Sequence, residues 1–428
     1  MGFEVKSIGE VCSVGDGAHS KVTRVETGIP YLTSKNIGQG FLKLDKLDYI
    51  SEESFEKLFS KDSKATRRPQ AGDVLFGIIG SFGNTYLYKE SDFFGFSSSI
   101  GILRPNPELL DSEYLYYVVS SKKFRDNHAN HNSGSVQGYT NIPTVKGLPL
   151  PVPSIAVQKK IAKVLQSLDR KIAVNQQTNQ TLEAMAQAIF KSWFVDFDPV
   201  KAKMRGEQPE GMDEATASLF PEKLVESELG LIPEGWDVGT LSDVAKYCSA
   251  RTKTDTITLE NYISTENMLA EKKGVTAASK LPTAKTVAAY KSGDILVSNI
   301  RPYFKKIWLA EGSGGRSNDV LGFESVRANT ESYLMNVLYQ DTFFEYMTRT
   351  SKGAKMPRGD KTAIMNWEMA VPPVELREAF SAIVDKFYQL IPQNRAQNAT
   401  LESLRDTLLP KLLSGELSLT DSLEVTNV

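Results

Sequence analysis

The chain is 428 residues long, with 41% hydrophobic and 24% charged residues, a globular composition with room for two or three domains. Lys and Arg total 50 against 52 Asp and Glu, a formal net charge of -2. That balance excludes a protein coating nucleic acid by wholesale basicity, so any basic surface must be local.

In chain order, residues 1–153 mix short strand-like runs with loops. Gly72-Asp73 reads as a turn into the apolar run Val74-Leu75-Phe76, and Ser97 to Leu103 reads as a further strand-like run. Val152-Pro153-Ser154 then opens a long helical pattern over 154–196. Residues 197–234 hold nine acidic residues against four basic ones and are punctuated by Pro199, Pro209, Pro221 and Pro233, which predicts a connector and not a third core. Residues 235–372 return to strands and loops. A second helical pattern fills 373–418, and 419–428 is a tail.

The second half repeats the first. Gly2-Phe3-Glu4-Val5 resembles Gly235-Trp236-Asp237-Val238, and Tyr31-Leu32-Thr33-Ser34-Lys35-Asn36-Ile37 resembles Tyr262-Ile263-Ser264-Thr265-Glu266-Asn267-Met268. Gly72-Asp73-Val74-Leu75 resembles Gly293-Asp294-Ile295-Leu296, and Val152-Pro153-Ser154 resembles Val371-Pro372-Pro373. The matches keep their order while the offset drifts from 233 to 219, as two diverged copies with loop insertions require.

The helical segments share a seam. In the first it runs Ile161, Leu165, Leu168, Ile172, Asn175, Asn179, Leu182, Ala186, Ile189, Trp193; in the second, Phe380, Val384, Phe387, Ile391, Asn394, Asn398, Leu401, Arg405, Leu408, Leu412. Steps of four and three give coiled-coil spacing. Asn175 and Asn179 match Asn394 and Asn398, and a seam asparagine fixes register at a cost in stability. Two matched helices packing on one another, antiparallel if the copies are related by a pseudo-twofold, follow from this pattern. Pro392 is expected to kink the second helix or weaken one turn. A fully helical 154–196 would be about 64 Å long, the dimension of a spacer. The fold class is therefore α+β: two tandem α/β domains separated by two long antiparallel coiled-coil helices.

Catalytic motifs are missing. No phosphate-binding Gly-x-x-x-x-Gly-Lys-Ser/Thr occurs, and Gly312-Ser313-Gly314-Gly315 reads as a loop, not as a dinucleotide fingerprint. The Asn/Asp-Pro-Pro-Tyr/Phe signature of amino-methyltransferases is absent, and Glu271-Lys272-Lys273 is too short to establish a nuclease. His128 and His131 read as a solvated pair, not a metal site. Cys12 and Cys248 give no disulfide framework or structural zinc site and read as packing residues. No run of about 18 apolar residues suggests a membrane span, and the first residues lack the apolar core of a signal peptide. The expectation is a cytoplasmic protein with no membrane partner, no bound metal and no cofactor of its own.

The charge distribution is more informative than its totals. Thr66-Arg67-Arg68, Lys122 to Arg125, Arg301-Pro302-Tyr303-Phe304-Lys305-Lys306 and Lys352 to Arg358 are local basic clusters. Each taken alone reads as readily as a solvated face. Their placement at matching points of the copies favours contact with phosphates and base edges. Arg301 to Lys306 follows the Gly-Asp strand, where the first copy has Ser81-Phe82-Gly83-Asn84. Ser133 to Thr140 and Lys355 to Lys361 both precede the proline-rich helix starts. Candidate DNA contacts are Lys35, Asn36, Ser81, Asn84, Ser135, Gln137 and Tyr139 in the first copy, and Thr265, Asn267, Arg301, Lys305, Lys355 and Arg358 in the second. Base readers and phosphate contacts stay unseparated among them. The framework repeats while the contact residues differ, so one scaffold could read two short sequences.

Several further segments form a recognisable set: the tandem Gly-Asp-Val/Ile-Leu segments, and Ser133-Gly134-Ser135 ahead of Leu148-Pro149-Leu150-Pro151-Val152-Pro153. Gln158 to Leu165, Pro209-Glu210-Gly211-Met212 and Leu231 to Trp236 add to it. The most specific piece is Ile189-Phe190-Lys191-Ser192-Trp193-Phe194-Val195-Asp196-Phe197-Asp198-Pro199-Val200. In these residues the chain resembles the specificity subunit of a type I restriction–modification system. The resemblance covers nearly the whole chain; Glu375-Leu376-Arg377-Glu378 departs from the usual Glu-Gln-Lys. The resemblance implies two target-recognition domains, 1–153 and 235–372, each reading one half of an asymmetric bipartite site in double-stranded DNA. It implies that the helices set the spacer and dock two methyltransferase subunits. Catalysis would belong to partners: S-adenosylmethionine on the methyltransferase subunits, ATP and Mg on the restriction/translocase subunits. The alternatives are a protein-only coiled-coil scaffold and a stand-alone methyltransferase or nuclease.

Overall fold

The computed structural model describes residues 3–62, 65–81, 83–131, 138–417 and 419. It divides into two compact units, residues 1–174 with 397–428, and residues 175–396. Both long helices, Ile155–Phe194 and Val374–Ser414, contribute to both units.

In the first unit, the strands Cys12–Asp16, Ile100–Pro105, Val74–Gly77 and Thr85–Leu87 form an antiparallel sheet in that order. A second sheet orders Asp48–Ile50, Ile29–Leu32 and Gly95–Phe96, the last pair parallel. Val5–Ser7 pairs with Pro149–Pro151, tying the start of the domain to the segment that feeds the helix. The central strand Val74–Gly77 is buried along its whole length, which explains its continuous apolar run. One cluster joins Val74, Phe76, Leu103, Tyr114 and Leu115 to Ile161 and Leu165 of the first helix and Leu409 and Leu412 of the second.

The second unit repeats this plan. Ala245–Tyr247, Val320–Ser325, Ile295–Ser298 and Ile307–Leu309 form the antiparallel sheet. Arg251–Lys253, Thr286–Tyr290, Gly314–Arg316 and Tyr262–Ile263 form the other, again closed by a parallel pair. Asp237–Thr240 pairs with Glu368–Val371 as Val5–Ser7 does with Pro149–Pro151. The repeat extends to backbone detail. Gly72 and Gly293 both take left-handed φ, +88° and +86°, and the next aspartate closes the same turn: Gln70 N donates to Asp73 Oδ2 at 2.8 Å, Lys291 N to Asp294 Oδ2 at 2.9 Å. Ser7 with Glu10 and Thr240 with Asp243 form matching capping boxes.

Two readings need correction here. Gly314-Gly315 is not loop but the start of a strand. A Cβ on Gly314 would lie 2.1 Å from the Asn261 carbonyl oxygen and one on Gly315 2.6 Å from Val287 Cγ2, so these glycines permit close strand approach. His128 is not solvated. It is fully buried with its ring 4.5 Å from Phe76, and burial pushes its pKa down to about 4. His131 alone is at the surface, its Nδ1 2.9 Å from the Asn127 carbonyl. Burial also pushes the Cys12 and Cys248 thiols up to about 12, in keeping with packing roles.

The connector is more than a tether. It forms short helices at Asp198–Met204 and Glu214–Ser218 and a hairpin of Leu224–Ser227 with Gly230–Pro233. Val200 and Phe220 are buried in the second unit's core, with Phe220 edge-on to Trp193 at 5.2 Å. Phe190, Trp193 and Phe194 gather around Phe380 at 5.3–5.9 Å. The aromatic residues of the motif Ile189 to Val200 are thus in the core or packed against it.

Within each unit the helix contacts run in opposite directions. In the first, Asn398 Nδ2 donates to the Ile172 carbonyl at 3.3 Å and Arg405 pairs with Asp169 at 2.9 Å, while Ile161 and Leu165 share a cluster with Leu409 and Leu412. In the second, Asn394 meets Asn179 at 2.8 Å and Phe380 meets Trp193. Asn175, Asn179 and Asn398 are buried and Asn394 is half-buried. The second helix runs unbroken through Pro392 and also Pro410. Pro392 therefore does not end it; packing of Ile391, Val384 and Phe380 outweighs the lost hydrogen bond.

Candidate nucleic-acid interface

In each unit three loops meet at one end of the buried strand after the Gly-Asp turn. In the first unit Ile79 bridges Tyr139, and Gly80 N donates to the Gly138 carbonyl at 3.1 Å. Asn84 Nδ2 reaches the Ile37 carbonyl at 2.8 Å, adding the loop of Lys35 and Asn36. In the second unit Ile300 bridges Arg358, and Arg301 N donates to the Pro357 carbonyl at 2.8 Å. Lys306 Nζ donates to the Thr265 carbonyl at 2.6 Å, adding the corresponding loop. Burial lowers the Lys306 ammonium pKa.

The candidates fall into two kinds. Asn36 and Asn267 shape their loops. Asn36 Oδ1 accepts from Thr33 N at 3.0 Å and its Nδ2 donates to the Lys43 and Lys46 carbonyls. Asn267 Oδ1 accepts from Ser264 N at 2.7 Å and its Nδ2 donates to the Tyr262 and Thr276 carbonyls. Asn267 is buried, so its amide is held inside the loop instead of being offered to a ligand. Asn84, half-buried, holds two loops together. Ser81 and Thr265 are half-buried.

The second kind faces outward. Lys35, Tyr139, Arg301, Lys355 and Arg358 are exposed. Arg358 pairs with Asp319 at 3.2 Å and Lys305 with Asp341 at 3.1 Å. Neither Arg301 nor Lys355 forms an ion pair among the described residues. Ser135 and Gln137 lie outside the described residues.

Reasoning from charge missed three apolar residues at the same loop tips. Tyr303 is 47% exposed, Phe304 37% and Met356 48%. Their signal was in the basic clusters themselves, since Tyr303 and Phe304 sit between Arg301 and Lys305. Lys272 was missed too; it pairs with Asp341 at 2.7 Å with its ammonium 4.5 Å from the Tyr339 ring centre. No metal-holding group of His, Cys, Asp and Glu occurs among the described residues, and no described helix is long and apolar enough to cross a membrane.

Residues 1–184 match the family described as type I restriction modification DNA specificity domain. The chain is 28% identical to the type I restriction enzyme MjaIX specificity subunit of Methanocaldococcus jannaschii, across 97% of this chain and 92% of that protein. It is 25% identical to the HindI specificity subunit of Haemophilus influenzae, across 83% and 88%. The fold is similar to a type I restriction–modification S subunit from M. genitalium, with a TM-score of 0.56 at 16% identity, covering 98% of this chain and 97% of that one.

Proposed function

We propose that the chain is a non-catalytic specificity subunit of the type I restriction–modification kind, a reading supported by the family match over residues 1–184 and by relatives of 25% and 28% identity, and that it reads an asymmetric, two-part DNA site for partner enzymes. The domain in 1–153 reads one half and the domain in 235–372 the other. The long helices over 154–196 and 373–418 set the gap and dock two methyltransferase subunits, with restriction/translocase subunits completing the assembly. S-adenosylmethionine would be bound by the methyltransferase subunits, and ATP with Mg by the restriction subunits.

The observation that carries this reading is the pair of matching loop clusters. Ile79–Tyr139 and Ile300–Arg358 are equivalent bridges, yet the exposed side chains around them differ: Lys35 and Tyr139 against Arg301, Lys355 and Arg358. A shared framework with different outward residues suits two different half-sites, since base edges are read by side-chain hydrogen bonds and apolar contacts.

Methylome sequencing of a host expressing this chain with its cognate methyltransferase subunit tests the proposal. The expected result is an asymmetric two-part motif with a fixed gap, lost when this chain is deleted. A verified complex that leaves no new modified motif would instead favour a protein-only scaffold.

A further inference from the structure

The turn after Ile300 has unusual backbone conformation for its sequence. Arg301 (φ 50°, ψ 64°) and Lys305 (φ 49°, ψ 47°) are both left-handed and bracket the short helical turn Pro302–Phe304. The first unit makes the equivalent turn with Gly80 (φ 82°) and Gly83 (φ 76°). The equivalence is fixed by backbone bonds: Gly77 N donates to the Asn84 carbonyl at 2.8 Å, and Ser298 N to the Lys306 carbonyl at 3.0 Å. Where one copy has glycine, the other carries cationic side chains in a conformation that side chains disfavour.

The strain extends to a second loop. Glu271 (φ 55°) and Lys272 (φ 59°) are also left-handed. Glu271 N donates to the Phe304 carbonyl and Lys272 N to the Lys305 carbonyl, each at 2.9 Å. Asp341 clamps the pair, its Oδ1 lying 2.7 Å from Lys272 Nζ and 3.1 Å from Lys305 Nζ. Strained residues persist only where their surroundings over-determine them, and they gather at functional sites. Here the clamp holds out an apolar pair: the Tyr303 and Phe304 rings are 4.8 Å apart and both substantially exposed.

Resting on the DNA-reading function above, we propose that Tyr303 packs its ring against a base step of the half-site read by the second unit, with Asp341 as the positioning residue that holds the turn in place through Lys272 and Lys305. Exposed rings suit base contact, either stacking or wedging a step apart. Arg301 beside them suits the flanking phosphate. A mobile aromatic would lose entropy on binding, and the clamp removes that cost beforehand.

The test is selection from a random duplex library by the full chain in complex with its cognate methyltransferase subunit. Wild type, Tyr303→Ala, Tyr303→Phe and Asp341→Asn are compared, with thermal melting as the check on folding. The expected result is a two-part motif from wild type and from Tyr303→Phe. Tyr303→Ala should lose tenfold or more in affinity, with base preference relaxed in one half only, and a folded Asp341→Asn should follow it. A Tyr303→Ala motif unchanged in both halves, with affinity within twofold, overturns the inference while leaving the DNA-reading function intact. A wild-type complex that selects no motif overturns both. If Asp341→Asn fails to fold, the tyrosine variants decide alone.

Discussion

Asn394 donates from its Nδ2 to the Oδ1 of Asn179 at 2.8 Å, across the seam of the two long helices. Asn179 in turn sends its own Nδ2 toward the Ile391 carbonyl at 3.4 Å. Polar groups in a seam contribute little net stability when paired and cost more when one partner is removed. Asn179→Ala should therefore lower unfolding free energy by about 1–2 kcal/mol. The double variant Asn179→Leu, Asn394→Leu should come within about 1 kcal/mol of wild type or exceed it, because neither polar group is left behind. Urea denaturation of both variants measures this. A double variant much weaker than the single would show that the asparagines hold the seam by more than their mutual bond.

His128 makes the first unit sensitive to acid. Burial holds its pKa at about 4, below the ordinary value of 6.5. The unfolded chain thus binds a proton between about pH 6.5 and 4 that the folded chain refuses. The neutral ring's contribution is fully present above pH 6.5 and is lost as pH falls through this window, by about 1.4 kcal/mol per pH unit at most. Stability measured from pH 7.5 to 4.5 should fall with that slope and flatten in His128→Phe, which keeps an aromatic ring beside Phe76. An equal slope in both proteins would place the acid sensitivity elsewhere.

The parts of the fold legible in the sequence were those where backbone chemistry demands particular residues. Gly72-Asp73 and Gly293-Asp294 stand out because a left-handed glycine and a turn-closing carboxylate recur together. The Asn36 and Asn267 loops are equally visible as repeats, and their place on loops puts both asparagines among the candidate DNA contacts. The amides in fact bond their own loops, and spacing alone does not distinguish an inward from an outward side chain. The packed connector was hidden for a related reason: its charge and prolines dominate its composition, while Val200 and Phe220 carry its attachment. Tyr303 is not legible as a contact because Arg301, Lys305 and Lys306 dominate the pattern of its segment.

The proposed ruler role of the helices gives a quantitative expectation. Ile155–Phe194 and Val374–Ser414 are 40 and 41 residues long, and their seams share one offset. Adding one heptad to each at matching positions preserves the seam and lengthens each helix by about 10.5 Å. Duplex DNA rises about 3.4 Å per base pair, so the gap between half-sites should grow by about three base pairs. The half-site sequences should not change, because neither loop cluster is touched. Methylome sequencing of the extended variant reads gap and half-sites in one measurement. A gap that stayed fixed while both half-sites persisted would mean that the helices do not set it, and that the spacing is fixed by the partner subunits instead.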